Sequence, residues 1–352
     1  MATIEFSEEQ TMLMETAVDF CRKHSPIDRV RAQIDEPQSV APAVWQEMVD
    51  LGWLGITVPE QYGGLGLSLA DAVPIAESMG RHLMGSPFVS TTLTTQALIS
   101  SGSDAQREQW LPQIAAGTAA SMALTEEDGN WNLTEIGSFA SVQGDQLLLT
   151  AKKCFVQDAP DAGVIVVSAR IDGAARLVAV AADQLPEGAL TRETVIDETR
   201  RSYTLEVDAL ALPAEQLLDG ADFAAIEHAA LLLLSAEMSG GLSGVLHVII
   251  EYLTTRKQFD QYIGSYQSLK HPTVQILLSM EACRSHLYRA ATCMAQGDTA
   301  ELEAAVRMAK AQGSEAFAFA GDRAVQFHGG FGFTYECDAQ LFLRRALWCQ
   351  YQ

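Results

Sequence analysis

The chain is predicted to be an α+β protein in three parts: helical, then β, then helical again. Three observations carry that reading. Up to about residue 117, apolar residues recur at helical spacing behind capping signals. The pattern then turns to short β-branched runs parted by turn dipeptides. After about residue 223, long apolar stretches at helical spacing return. The 352 residues divide accordingly at 1–120, 121–222 and 223–352. Neither helical part closes a core easily by itself, so the two are expected to pack together with the β part against them.

In order along the chain, Ser7-Glu8-Glu9-Gln10 reads as a capping box opening a helix with Leu13, Ala17 and Phe20 on one face. Val44, Trp45, Met48 and Val49 mark a second amphipathic helix that stops at Gly52. Pro59–Gly66 is a glycine-rich connector. Ser68 and Ser103 open further helices, Ser103 through a second capping box with Gln106. Strands are expected at Gln146–Thr150, Val164–Ser168, Leu177–Ala181 and Tyr203–Val207, with turns at Gly144-Asp145 and Asp172-Gly173. Ala224–Thr255 is apolar nearly all round, with Leu231–Leu234, Val248, Ile249 and Ile250, which implies a helix covered on every side and an obligate subunit interface. Helices follow from Gln267, from Asp298 as an N-cap, and from Asp338.

Composition narrows the function. Hydrophobic residues make up 48% and charged residues 19%, which supports a real core. A net charge of -22 argues against nucleic acid, whose phosphates such a surface repels. No continuous apolar run reaches the ~20 residues of a membrane span. Met1–Glu5 has neither a basic nor an apolar export region, so a cytoplasmic protein is expected. The six cysteines form no CxxC pair; they read as reduced core residues, and no metal site is expected.

Two motifs carry ligand chemistry. Arg256-Lys257-Gln258-Phe259 ends one helix, and Ile263-Gly264-Ser265-Tyr266-Gln267 opens the next segment. A planar arginine fork suits phosphate oxygens, and phenylalanine can lie beside a flat heterocycle; the plainer reading is a basic helix end with a core aromatic. Gln326-Phe327-His328-Gly329-Gly330-Phe331-Gly332 offers close backbone approach and an amide, although a helix–helix turn would use the same glycines.

These segments, with Gly52-Trp53-Leu54-Gly55, Pro59–Gly66 and Leu124-Thr125-Glu126, resemble the acyl-CoA dehydrogenase family over the entire length. The resemblance implies an N-terminal helical domain, a middle β-barrel-like domain and a C-terminal four-helix bundle. It also implies FAD, an acyl-CoA substrate and an electron-transfer flavoprotein as electron acceptor. In the family a carboxylate takes the α-proton of the thioester and the β-hydrogen leaves as hydride to the flavin. The FAD is shared between subunits, and the residues that would hold its adenosine diphosphate end match here: Arg256, Phe259, Gln267, Gln326, Gly329 and Gly330. Asp260 departs, replacing the usual glycine after Phe259.

The flavin half departs more deeply. The family's loop reads roughly Thr-Glu-Pro-Gly-Ala-Gly-Ser-Asp; here Glu127, Asp128, Asn130, Trp131 and Asn132 replace Pro, Gly, Gly, Ser and Asp. Glu126, Glu127 and Asp128 form an acidic run near where phosphate would sit. Phe155-Val156-Gln157 stands for the family's Trp-x-Thr. The family's base, about nine residues beyond Arg344, would fall past Gln352, and the alternative base stretch, Ala229–Leu233, has no carboxylate. Glu227 is a weak candidate, with Glu237 a turn beyond the stretch.

The resemblance thus points to one subunit of an α2β2 enzyme acting on bulky acyl-CoAs, including steroid side-chain CoA esters. The partner, a second subunit of the same family, would supply the flavin loop and the base. Two other readings stay open: a homomeric enzyme with a divergent loop, and a scaffold or CoA-ester binding protein without redox chemistry.

Overall fold

A computed structural model describes residues 8–352, with side chains from Gln10 onward. The capping box expected at Ser7–Gln10 rests on side chains outside the described residues.

The first part holds helices α1 (Glu8–His24), α2 (Ile27–Gln33), α3 (Pro42–Asp50), α4 (Val73–Arg81), α5 (Phe88–Ser101) and α6 (Asp104–Ala115). The capping box of α6 forms as read: Gln106 N donates to Ser103 Oγ at 3.3 Å, and Ser103 N donates to Gln106 Oε1 at 2.8 Å. Gln106 Nε2 then reaches the carbonyls of Glu215 and Leu217, tying α6 to the end of the β part. After α3, Gly52 turns the chain at φ +75°.

The middle part holds strands β1 (Ala119–Ala123), β2 (Phe139–Gln143), β3 (Gln146–Gln157), β4 (Ala162–Ile171), β5 (Ala174–Ala181), β6 (Leu190–Arg192) and β7 (Ser202–Pro213). They form one mixed sheet in the order β1-β4-β2-β3-β7-β6, with β5 also on β4. Both expected turns close two-residue hairpins, at Gly144-Asp145 and Asp172-Gly173; Asp172 and Gly173 both lie at positive φ, as such hairpins require. The bridge from Thr125 to Cys154 brings the chain after β1 back onto β3. β1, β4, β2 and β3 thereby curl around an interior of Leu147, Leu149, Val156, Ile165, Val167 and Leu205, the barrel-like domain that was expected. Strands β1, β2 and β6 escaped the sequence reading, being short and mostly half-exposed or poor in β-branched residues.

The last part holds α7 (Phe223–Thr255), the short hairpin β8 (Lys257–Gln258) and β9 (Gln261–Tyr262), α8 (Gln267–Gln296), α9 (Thr299–Phe327) and α10 (Ala339–Tyr351). Asp298 caps α9 by accepting from Glu301 N. One core joins α1, α3, α4 and α5 to α7, α8 and α9 through Phe20, Met48, Trp53, Phe88, Leu232 and Val306. The two helical parts therefore do pack together, and α4 meets α7 backbone to backbone: a Cβ on Gly240 would lie 1.7 Å from the carbonyl of Glu77, so only glycine fits.

Helix α7 bears on two expectations. It is long and apolar enough to cross a membrane by length and composition, although no unbroken apolar run marks it; 78% of its most apolar window is buried within the protein. Its cover comes from its own chain, since its buried residues belong to cores shared with α4, α5, α9 and α10. Its composition is therefore no sign of a subunit interface. Leu231, Leu234 and Val248 are only half-buried, and Ile250 is exposed. Three further exposed apolar residues, Val274, Leu277 and Leu278, lie together on α8. All six cysteines are free thiols; five are buried, and Cys154 is half-exposed.

Candidate cofactor site

The structure places the sequence-predicted residues at two sites. The first is an apolar cavity of about 210 Å³ where the β domain meets α5, α7 and α10. Met122, Leu124, Thr125, Cys154, Phe155 and Gln157 line it from one side, with Ile226, Glu227, Leu231, Leu234 and Glu237 opposite. Trp131 stacks on Phe155, rings 6.4 Å apart and 16° from parallel, and Phe155 meets Trp348 edge-on at 5.8 Å. Phe155 sits at φ +58° where β3 bulges against β7. Three aromatic rings thus occupy the wall from which Phe155 and Gln157 face inward.

The loop before this wall is turned in on itself. Glu126 accepts from Gly137 N at 2.7 Å, Ser138 N at 2.8 Å and Lys153 Nζ at 2.7 Å. Lys153 is fully buried, and its other contacts are the Leu124 carbonyl and Ser168 Oγ. Burial pushes the Glu126 carboxyl up, but the hydrogen bonds from Lys153, Ser138 and Gly137 together outweigh it and bring it down to about 2. Beyond Glu126, the backbone N–H groups of Asn130, Asn132 and Thr134 donate to the side chains of Asp128, Asn130 and Asn132 in turn. Both asparagine amides then donate to Glu135. The N–H groups of Asn130, Asn132 and Thr134 and both asparagine amides are thus used within the loop.

Two of the three acids in the expected run are paired, Glu126 with Lys153 and Glu127 with Lys152. Neither candidate base is free. Glu227 pairs with Arg307 at 3.1 Å. Glu237 is buried and accepts from Arg200 Nη2 at 2.6 Å. It belongs to a buried network in which Arg345 also reaches Asp197 and Thr199. This network, Lys153 and Trp348 were all missed from sequence. Only Lys153 left a signal: Leu147, Leu149, Ala151 and Lys153 share one face of β3, so the lysine had to point inward.

The second site is an open cleft of about 680 Å³ at the far end of the bundle. Arg256, Phe259, Gly329 and Gly330 line it together, with Tyr252, Tyr266 and His328. Gln267 and Gln326 do not; both are exposed, each one residue from a lining neighbour, Ser268 and Phe327. Among the described residues no carboxylate pairs with Arg256. A Cβ on Gly329 or Gly330 would meet nothing within 4 Å, so the backbone there faces open space. Phe259 and Asp260 form the β8–β9 turn at φ +52° and +59°, which explains why glycine suits position 260. Asp260 does not line the cleft, and Phe259 stands 87% exposed at its edge rather than in a core.

One trio of potential metal ligands, Cys293, Asp298 and Glu301, clusters within 4.8 Å. Asp298 is engaged in capping α9 and Glu301 in an ion pair with Arg289.

Residues 7–118 match the acyl-CoA dehydrogenase N-terminal domain and residues 226–350 the C-terminal domain. The chain belongs to the acyl-CoA dehydrogenase family. It is 31% identical to acyl-CoA dehydrogenase FadE12 of Mycobacterium bovis, over 83% of this chain and 79% of that protein. It is 29% identical to acyl-CoA dehydrogenase IpdE2 of Mycobacterium tuberculosis, over 96% and 91%. Among solved structures, a variant of the Tcur3481–Tcur3483 steroid ACAD superposes with a TM-score of 0.87 at 26% identity, covering 97% of this chain and 92% of that one. The ChsE4–ChsE5 complex from Mycobacterium tuberculosis shares the fold, with a TM-score of 0.90 at 24% identity over 99% and 94%.

Acyl-CoA dehydrogenases are FAD-dependent flavoproteins, and the two sites differ in how they fit that group. The open cleft fits a nucleotide diphosphate: it offers a free guanidinium, bare glycine backbone and flat rings. The cavity does not fit a flavin ring, because Trp131, Phe155 and Trp348 occupy its wall and the N–H groups of Asn130, Asn132 and Thr134 are turned onto the loop's own side chains.

Proposed function

We propose that this chain is the non-catalytic subunit of a heteromeric acyl-CoA dehydrogenase. In this reading it completes the nucleotide end of an FAD site whose flavin loop and base belong to a second, complementary subunit. The observation that carries it is the closed loop from Glu126 to Glu135, beside a cavity whose two carboxylates are both ion-paired. When bound, FAD supplies hydride acceptance. This chain contributes Arg256 for the pyrophosphate and the Gly329-Gly330 backbone for close approach. The exposed Val274, Leu277 and Leu278 on α8 offer an apolar face for assembly. The substrate class is a bulky acyl-CoA, including steroid side-chain CoA esters, with an electron-transfer flavoprotein as acceptor. Similarity to a steroid ACAD supports that class, with the weight of family analogy.

The test is flavin content per chain after purification, alone and with a complementary family member. Alone, the protein should carry little flavin, and together they should carry one flavin per completed site. Stoichiometric flavin on the lone chain would establish the homomeric reading instead.

Glu227→Gln, assayed in the assembly with an acyl-CoA and an electron acceptor, should keep turnover within about tenfold, ~1.4 kcal/mol of barrier. Glu227 is spent on Arg307 at the surface of the bundle. A fall of several orders of magnitude with flavin still bound would put the base on this chain.

A further inference from the structure

His328 is not among the residues that sequence matching assigned to the nucleotide cleft, yet it lines that cleft and its ring is held on two sides. The residue follows the last turn of α9 and is 7% exposed. Its Nδ1 lies 2.7 Å from the carbonyl of Ala324. A carbonyl only accepts, so Nδ1 carries the proton, and in the neutral ring Nε2 is left as an acceptor. The ring stacks on Tyr252 with centroids 4.0 Å apart and planes 25° apart, and Phe331 tilts against it at 6.5 Å. These contacts fix both the ring plane and its rotation. Among the described residues no group bonds Nε2, nor is that atom sealed in the interior without a partner, so it opens into the cleft that His328 lines.

The cleft therefore shows three features together: the Arg256 cation, a flat stacked pair, and one fixed acceptor. We infer that His328 is a specificity-determining residue that selects adenine, accepting from an N–H of the base through Nε2 while Arg256 holds the diphosphate. This deepens the reading of the cleft given above and rests on it. Adenine carries an exocyclic amino donor. Hypoxanthine carries a carbonyl acceptor in the same place, which would face Nε2 lone pair to lone pair. A site built to bond a donor rejects the analogue lacking it more strongly than it gains from the bond itself.

The test is calorimetric titration of the purified full-length chain with ADP and with IDP. ADP should bind about tenfold more tightly or better, the ratio expected when one buried polar partner is lost. His328→Phe keeps a flat ring on Tyr252 but removes the acceptor; it should bring the two affinities together. His328→Gln offers both donor and acceptor and should tolerate either base. Arg256→Ala should weaken both nucleotides alike and leave their ratio unchanged. Equal affinities in the unaltered protein, a ratio that survives His328→Phe, or no binding of either nucleotide would each overturn the assignment. Failure of the subunit reading is seen separately, as stoichiometric flavin on the lone chain.

Discussion

Replacing Arg345 by methionine should cost the protein about 3–5 kcal/mol of unfolding free energy, the usual penalty for stranding one member of a buried ion pair. Arg345 is fully buried on α10 and bonds both the Asp197 carboxylate and, at 2.6 Å, Thr199 Oγ1. Methionine fills much of the volume, so the loss reports the charge and not a cavity. Burial pushes the Asp197 carboxyl up, but Arg345 and Arg200 outweigh it and hold the group below its ordinary value. A depressed carboxylate contributes stability above its unfolded pKa and loses it as pH falls. The penalty of the substitution should therefore be largest at neutral pH and shrink in acid. Urea unfolding at neutral pH measures it, and adding Asp197→Asn should recover part of the loss, since the stranded charge is then gone. A loss under about 1 kcal/mol would show that the network contributes little.

Lys153→Met should cost roughly 3 kcal/mol and release the loop at Glu126. The lysine is sealed in the sheet and makes all three of its possible bonds, to Leu124, Glu126 and Ser168. Burial also pulls the lysine's own pKa down against the pull of Glu126, so part of what the carboxylate gains the ammonium gives back. The clear signature is on the acid side. Glu126 falls from an ordinary 4.5 to about 2, so its stabilisation is complete above the ordinary value and is lost as pH drops toward 2. Melting temperatures followed down through that window should fall in the unaltered protein and stay flatter in the variant. Trp131 fluorescence should change with the substitution, because the loop that stacks it on Phe155 hangs from Glu126. An unchanged acid limb in Lys153→Met would mean that Gly137 and Ser138 alone hold the carboxylate.

Much of this was legible in the sequence because it depends on residues close along the chain. The capping box of Ser103 and Gln106, the N-cap at Asp298 and the two-residue turns at Gly144-Asp145 and Asp172-Gly173 are local devices, and the structure forms each of them. The three-part order follows from periodicity, and motifs such as Arg256–Phe259 survive as contiguous text. The loop's departure at Glu127–Asn132 was likewise visible. Tertiary structure alone decided what those residues do to one another. That Lys153 answers Glu126, that Arg345 and Arg200 spend Asp197 and Glu237, and that α7 is covered by its own chain depend on segments far apart in sequence. Buried charges are tolerated only where partners converge on them, and that convergence is a property of the packed chain. The same holds for His328, whose free nitrogen is set by a carbonyl one helical turn back and by the face of a tyrosine on another helix.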